Sequence, residues 1–537
     1  MLPLSHARPF RAALAASRAL GAIALFIAML AAVPAAHAAK KAAAVAPADT
    51  KVVTGLEAIE KQVKEFTLPN GLKFMVIERH AAPVFSFMTV VNSGAANDNV
   101  GTTGIAHMME HMAFKGTSIV GTKGYTAEKP LLEAEDALYA RILQERSRGA
   151  RADTAKLRSL ETDFKKAQEA AREKVASNEF TSMLEQNGAT GLNASTANDI
   201  TNYYYSLPSN RLELWSLLEG GRMAYPVFRE FYKERDVVYE ERRMRYESSP
   251  TGRLFWEFIT TAFVAHPYGF GGIGYPSDLK SFSREQGEEF YRKNYVAKNM
   301  CVAVVGDVKT DEVQEFAKKY WSDISDAPAP APVATVEPEQ HAERRVTLED
   351  PAQPFIFIGW HIPAASDPTY PAYEAVASLL GGGNFSRLYK TIVKEKKIAV
   401  QTQAFTGFPG EKYPSLLGVV VVPAAGQDPV AVETEVYKVI DEAMTTKPFT
   451  QEELDGHKVR TRASMIGEAE SNASLAGALA SAEMVQGDWH EFFRSAERLV
   501  SLTPADLQAA MKKSIKKSNR TVAMIVNPKT AANEGGH

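Results

Sequence analysis

The stretch GIAHMMEHMAFKGT, residues 104–117, places His107 and His111 four positions apart with Glu110 directly before the second. On an α-helix, residues four apart project from nearly the same side, so both imidazoles can converge on one ion. Glu110, three after His107, stays on that face. Two imidazoles and a carboxylate suit Zn2+, and a further carboxylate beside the ion can take up a proton from the water it acidifies. The order of residues is the reverse of the H-E-x-x-H arrangement. A catalytic zinc needs a third protein ligand, and KERDVVYEERRMR, residues 233–245, is the richest place to look. On a helix Glu234 and Glu241 lie two turns apart and share a face, whereas Glu240 is rotated roughly 100° away. Spacing leaves both Glu241 and Glu234 open as the ligand.

The elements that must position these groups are legible as periodicities. VKEFTLPNGLKFMVIER, residues 63–79, reads as strand, Asn70-Gly71 turn and strand, because Asn-Gly accepts the positive φ of a tight hairpin. PVFSFMTVVNSG follows as a further strand, then the helix of the opening motif. From about Leu131 to Gly188 the chain turns helical and charged, with Gly149 in a polar break, and reads as a helical hairpin. GLNASTANDITNYYYSLP, residues 191–208, alternates as a strand, in which Tyr203, Tyr204 and Tyr205 read as core and rim aromatics. DAPAPAPVATVEPEQ opens an extended Pro/Ala-rich linker over 326–342. Beyond it the grammar repeats: NRTVAMIVN at 519–527 lies without gaps over NMCVAVVGD at 299–307, each following a helix opened by Ser283 or Thr503. That pattern points to an internal duplication, with one half over 58–325 and the other over 343–533.

With 537 residues, 45% hydrophobic content and a net charge of -3, the chain is too long for one core, and nothing in its charge directs it to nucleic acid. The first 38 residues read as a secretory signal. Arg8, Arg11 and Arg18 precede the apolar run ALGAIALFIAMLAAV, and Ala36 and Ala38 suit cleavage after Ala38. A polar leader over 39–57 follows, and no later stretch reaches membrane-spanning length, so the mature chain is expected to be soluble and periplasmic. Cys301 is the single cysteine, which rules out an intrachain disulfide and a cysteine-based metal site.

GIAHMMEHMAFKGT, GLNAST, ERDVVYEE and HPYG (266–269), in that order and followed by a motif-poor second half, resemble the pitrilysin-insulinase family of zinc peptidases, the inverzincins. The likeness covers essentially the whole mature chain. It implies an α+β fold of two homologous halves, each a pair of α/β-roll subdomains of the ferredoxin-like, LuxS-metallohydrolase-like kind, closed as a clamshell around a chamber. It implies one zinc per chain on His107, His111 and Glu241, with Glu110 as general base and Glu234 as a supporting carboxylate that orients the ligands. Asn193 and Ala194 match the strand that pairs with an extended peptide substrate. HPYG reads as a structural turn near the cleft.

Two departures from the family pattern matter. The interval from His111 to Glu241 is longer than is typical, and the charged hairpin at about 131–188 accounts for the excess; a similar insertion occurs in a bacterial periplasmic branch. Active members also carry an Arg and a Tyr seven residues apart in the companion half, after a Gly-rich segment that here reads LLGGGNFSRLYK, and the corresponding positions are Val393 and Val400. Valine offers no hydrogen bond to a developing oxyanion, a contribution worth ~3 kcal/mol. The resemblance therefore implies the metal-bearing subunit of a heteromeric endopeptidase, akin to the zinc subunit of the mitochondrial processing peptidase, whose partner supplies the Arg/Tyr pair. A homodimer is the other arrangement, and a non-catalytic scaffold that keeps the peptidase fold is the rival reading.

Overall fold

The computed structural model describes residues 49–528, so the signal segment and the first part of the leader lie outside the described residues. Among the described residues eleven strands form two sheets. The first contains β1 (Lys64–Thr67), β2 (Lys73–Glu78), β3 (Val84–Val91), β4 (Thr190–Thr196), β5 (Thr201–Pro208) and β6 (Met300–Gly306), in the order β1-β2-β6-β3-β5-β4. The second contains β7 (Arg344–Glu349), β8 (Phe355–Ile362), β9 (Ala399–Phe408), β10 (Ser415–Pro423) and β11 (Arg520–Val526), in the order β7-β11-β8-β10-β9. Strands β6 and β11, which carry the two matching segments, hold the same place: each is parallel to one neighbour, β2 or β7, and antiparallel to the other, β3 or β8. The helices preceding them open with the same device, a capping box made by Ser283 with Gln286 and by Thr503 with Asp506. Only β1 has no counterpart in the second sheet.

The expected turn at Asn70-Gly71 joins β1 and β2, and Asn70 also donates Nδ2 to the carbonyls of Trp321 (2.9 Å) and Ile324 (3.1 Å), which ties the hairpin to the end of the first half. One expectation is corrected. Residues 191–208 are not a single strand but the hairpin β4–β5, antiparallel with Asn193 opposite Tyr204. The break falls at Ala197–Ile200, where Ala197 N bonds Ile200 O, and two side chains suited to turns pin the tip. Asn198 donates to Pro409 O at 2.8 Å, and Asp199 accepts from Tyr268 Oη (2.6 Å) and from the backbone N–H of Glu411 (2.7 Å). The HPYG turn thus anchors the hairpin tip to the loop between β9 and β10. Alternation on β5 buries Tyr203 and Tyr205 and leaves Tyr204 half-buried, while β4 is an edge strand.

Helix α1 (Ile105–Met112) packs beneath the first sheet. The charged excursion is two helices, α2 (Tyr125–Arg146) and α3 (Thr154–Arg172), packed against each other, with Asp153 capping the second through Ala155 and Lys156 N–H. α2 begins before the expected Leu131 because its first turn is anchored: Glu128 forms a fully buried ion pair with Arg229 at 2.8 Å. The chain leaves and returns at one place, with Lys123 N bonded to Lys174 O and Ala176 N to Gly121 O. A short helix, α4 (Glu179–Gln186), then leads into β4, and α5 (Phe231–Arg242) follows β5.

Each sheet has one face covered by helices of its own half and the other by helices from the opposite half. α6 (Pro250–Ala262), from the first half, lays Leu254 and Phe258 on Phe357, Ala523 and Ile525 of the second sheet. α7 (Asn472–Gln486), from the second half, lays Leu475 and Leu479 on Ile77, Val90, Ala303 and Val305 of the first. The Pro/Ala-rich linker is extended as expected but pinned: the Glu337 carboxylate accepts from the N–H groups of Val264, Ala265 and His266, and Gln340 donates to Arg520 O. Among the described residues no helix is long and apolar enough to cross a membrane.

Candidate metal centre

α1 buries Ile105, Ala106, Met108, Met109 and Met112, which fixes its rotation and turns His107, Glu110 and His111 toward one side. α5 does the same with Phe231, Tyr232 and Val238, and turns Glu234 and Glu241 toward α1. His107, His111 and Glu241 each bring one donor atom within 4.8 Å of the others. Glu241 Oε1 lies 3.8 Å from His107 Nε2, and Oε2 lies 3.5 Å from His111 Nε2. Zinc bonds of about 2.0–2.2 Å place two ligands of a tetrahedral ion roughly 3.5 Å apart, so the donor set and its spacing fit that ion.

The other carboxylates stand outside this triangle. Glu234 Oε2 is 3.5 Å from His111 Nδ1, the far nitrogen of the ring, and its Oε1 takes the Lys115 ammonium at 2.5 Å. Glu110 Oε2 is 4.0 Å from His107 Nε2 and accepts the Thr196 hydroxyl at 2.6 Å. Arg245, one turn beyond Glu241, reaches its Oε1 at 2.6 Å.

The electrostatics favour a cation between these groups. Burial alone would lower His111, but the Glu234 and Glu241 carboxylates outweigh it and push the imidazole up to about 9. Burial would raise Glu241, yet His111, His107 and Arg245 hold it at about 2. Glu234 is likewise held at about 2 against burial, by His111 and Lys115. His107, the more enclosed imidazole, is pushed down by burial despite the pull of Glu241 and Glu110. A site that binds a proton this firmly between carboxylates offers the same attraction to a metal ion.

Asn193 and Ala194 lie on the edge strand β4 and line a cleft of about 530 Å³ together with Glu110, His111, Phe114 and Phe180. Asn193 Oδ1 accepts from Ala194 N at 2.9 Å, so this side chain braces its own strand edge. Residues 175–181, where the helical excursion rejoins the chain, form the opposite wall of that cleft. Val393 is half-buried against the second core and Val400 is exposed on β9. Thr196, Lys115 and Arg245 were not singled out by the sequence. Arg245 had a signal, its position four residues after Glu241 on a continuing helix; Lys115 and Thr196 lie inside the motifs GIAHMMEHMAFKGT and GLNAST, but they act on Glu234 and Glu110 across the fold, which spacing does not convey.

Residues 74–131 match the family model described as insulinase (peptidase family M16), and residues 281–460 match the one described as peptidase M16 inactive domain. The chain is 26% identical over 466 residues to the zinc protease PqqE of Helicobacter pylori, covering 86% of this chain and 91% of that protein. It is 24% identical over 327 residues to the probable mitochondrial-processing peptidase subunit beta of Arabidopsis thaliana, covering 59% of this chain and 50% of that protein. The crystal structure of a protease from Helicobacter pylori is similar with a TM-score of 0.72 and 25% identity, covering 86% of this chain and 99% of that one.

Proposed function

Given that the chain belongs to the insulinase (M16) family of peptidases, we propose that it is a zinc-dependent endopeptidase acting on peptides or unfolded polypeptide segments. The observation that carries this reading is the convergence of His107, His111 and Glu241 with Glu110 poised beside them and outside the ligand set. Zinc held by those three residues would polarise the scissile carbonyl and acidify water. Glu110 takes the proton of the attacking water and passes it to the leaving amine, and the Thr196 hydroxyl holds its Oε2 in position. Glu234 orients His111 through the far ring nitrogen, and Lys115 fixes Glu234 in turn. Asn193 and Ala194 present the edge of β4 to an extended substrate, which adds as a further strand. Glu110→Gln is expected to abolish peptide cleavage while one zinc per chain remains by metal analysis; retained cleavage removes Glu110 from the role.

The chain works as the metal-bearing subunit of a pair and is exported to the periplasm by residues 1–38. What supports pairing is the absence of a hydrogen-bonding side chain at Val393 and Val400, together with the likeness to a protein named as one subunit of a processing peptidase. Mixing the purified chain with homologues that carry Arg and Tyr at the matching positions is expected to raise cleavage; full activity of the lone chain defeats the partner. The same two valines, and a second half that matches a domain described as inactive, favour the scaffold as the second reading. Absence of stoichiometric zinc would select it.

A further inference from the structure

The donors sit on two helices far apart in sequence, so something must set the distance between them. α1 is entered through Gly104, the residue before its first, where φ is +91° and a Cβ would lie 2.3 Å from Ile273 O. Facing it is Gly274, with φ +90°, where a Cβ would lie 2.1 Å from Thr103 O. Two glycines thus let the backbone at 273–274 press directly on the backbone entering α1. Side chains lock this contact. Asp278 Oδ2 accepts the Thr103 hydroxyl (2.7 Å), Thr103 N (3.1 Å) and Gly101 N (3.1 Å), and the Thr103 oxygen accepts from Tyr275 N at 2.9 Å. Buried Asp98 completes the helix entry by accepting Gly104 N (2.6 Å) and Ala106 N (3.1 Å). From the other side Arg242, adjacent to Glu241 and the last residue of α5, donates Nε to Gly274 O at 2.8 Å, with its guanidinium 4.6 Å over the Trp256 ring.

The segment 273–278 therefore touches the residues that lead into the helix bearing His107 and the last residue of the helix bearing Glu241. We propose that it is a strut holding the two metal-bearing helices at ligand distance, with Asp278 as a positioning residue for the zinc site. The inference rests on the reading that His107, His111 and Glu241 hold zinc.

The test is zinc affinity of the purified full chain by competition with a chromogenic chelator, alongside the melting temperature of the metal-free chain. Asp278→Ala is expected to weaken zinc binding about 10–100-fold at a temperature where circular dichroism shows it folded. Asp278→Asn, which keeps an acceptor oxygen, should recover most of the loss. Thr103→Val, which removes the hydroxyl without changing shape, should weaken binding in the same direction and decides the matter if Asp278→Ala does not fold. A lowered melting temperature with unchanged zinc affinity in these variants overturns the proposal and leaves Asp278 a stabilising residue only. A wild-type chain that binds no stoichiometric zinc overturns the underlying zinc reading, and the strut's role with it.

Discussion

Glu234 and Glu241 differ in something a helical wheel does not record, namely which imidazole nitrogen each one faces. Both sit on one side of α5, and spacing alone left them equivalent. In the fold Glu241 approaches the Nε2 atoms of both histidines, whereas Glu234 approaches Nδ1 of His111 and is itself held by Lys115. A carboxylate on the far ring nitrogen fixes orientation and basicity without taking a coordination position. Glu241→Gln is therefore expected to lose stoichiometric zinc, and Glu234→Gln to keep it with affinity weakened about 10–100-fold, measured by chelator competition. Equal losses in the two variants would contradict the division of roles. The histidine pair and Glu110 were readable because four-residue spacing is a local property. The choice between the glutamates was not, because it depends on how two distant helices approach.

At the scale of elements, the helical excursion is built into the site's surroundings by buried ion pairs of α2, Glu128 with Arg229 and Glu135 with Arg284. Arg229 donates to both oxygens of Glu128 on α2 and to the carbonyls of Lys115, Thr117 and Val120, the loop directly after α1. Removing one partner of a buried pair leaves an uncompensated charge, so Glu128→Gln should destabilise the chain by ~3 kcal/mol in denaturant titration. A similar argument from burial applies to the helix Gln451–Glu470. Its His457 is 5% exposed, bonded through Nδ1 to Ser378 Oγ at 3.0 Å, and held down at about 4 from 6.5 by burial and by the charges of Arg460 and Lys458. The unfolded chain therefore takes up this proton first. The contribution is whole above pH 6.5 and is lost as pH falls toward 4, by about 3 kcal/mol in total. His457→Gln should flatten stability against pH over that window, and an unchanged slope would refute the assignment. The element that sequence misjudged, the β4–β5 hairpin, carries its signal in a change of phase: Leu192 and Ala194 face inward on β4 and Tyr203 and Tyr205 on β5, and the shift falls at Ala197–Ile200, where Asn198 and Asp199 suit a turn.

The whole molecule is a duplication whose halves interlock. Matching segments on β6 and β11 were legible as repeated sequence, and they occupy matching places in two sheets of like order. What no periodicity could convey is which sheet an apolar helix face covers. α6 and α7 belong by chain position to opposite halves, yet each seals the sheet of the other. The halves should consequently share stability and not melt as separate units. Phe258 on α6 is fully buried, with its ring stacked on Phe357 of β8 at a centroid distance of 3.8 Å. Phe258→Ala removes that contact and leaves a cavity, at a cost of ~3–5 kcal/mol. If the packing is reciprocal, the variant lies in the first half but the loss of amide protection appears in β8 and β11 of the second, because those strands lose the cover of one face. Hydrogen exchange with fragment-level resolution reads this directly. Protection lost only within 250–262 would mean that the second sheet stands without its borrowed helix, and that the halves are joined by contact but do not depend on one another to fold.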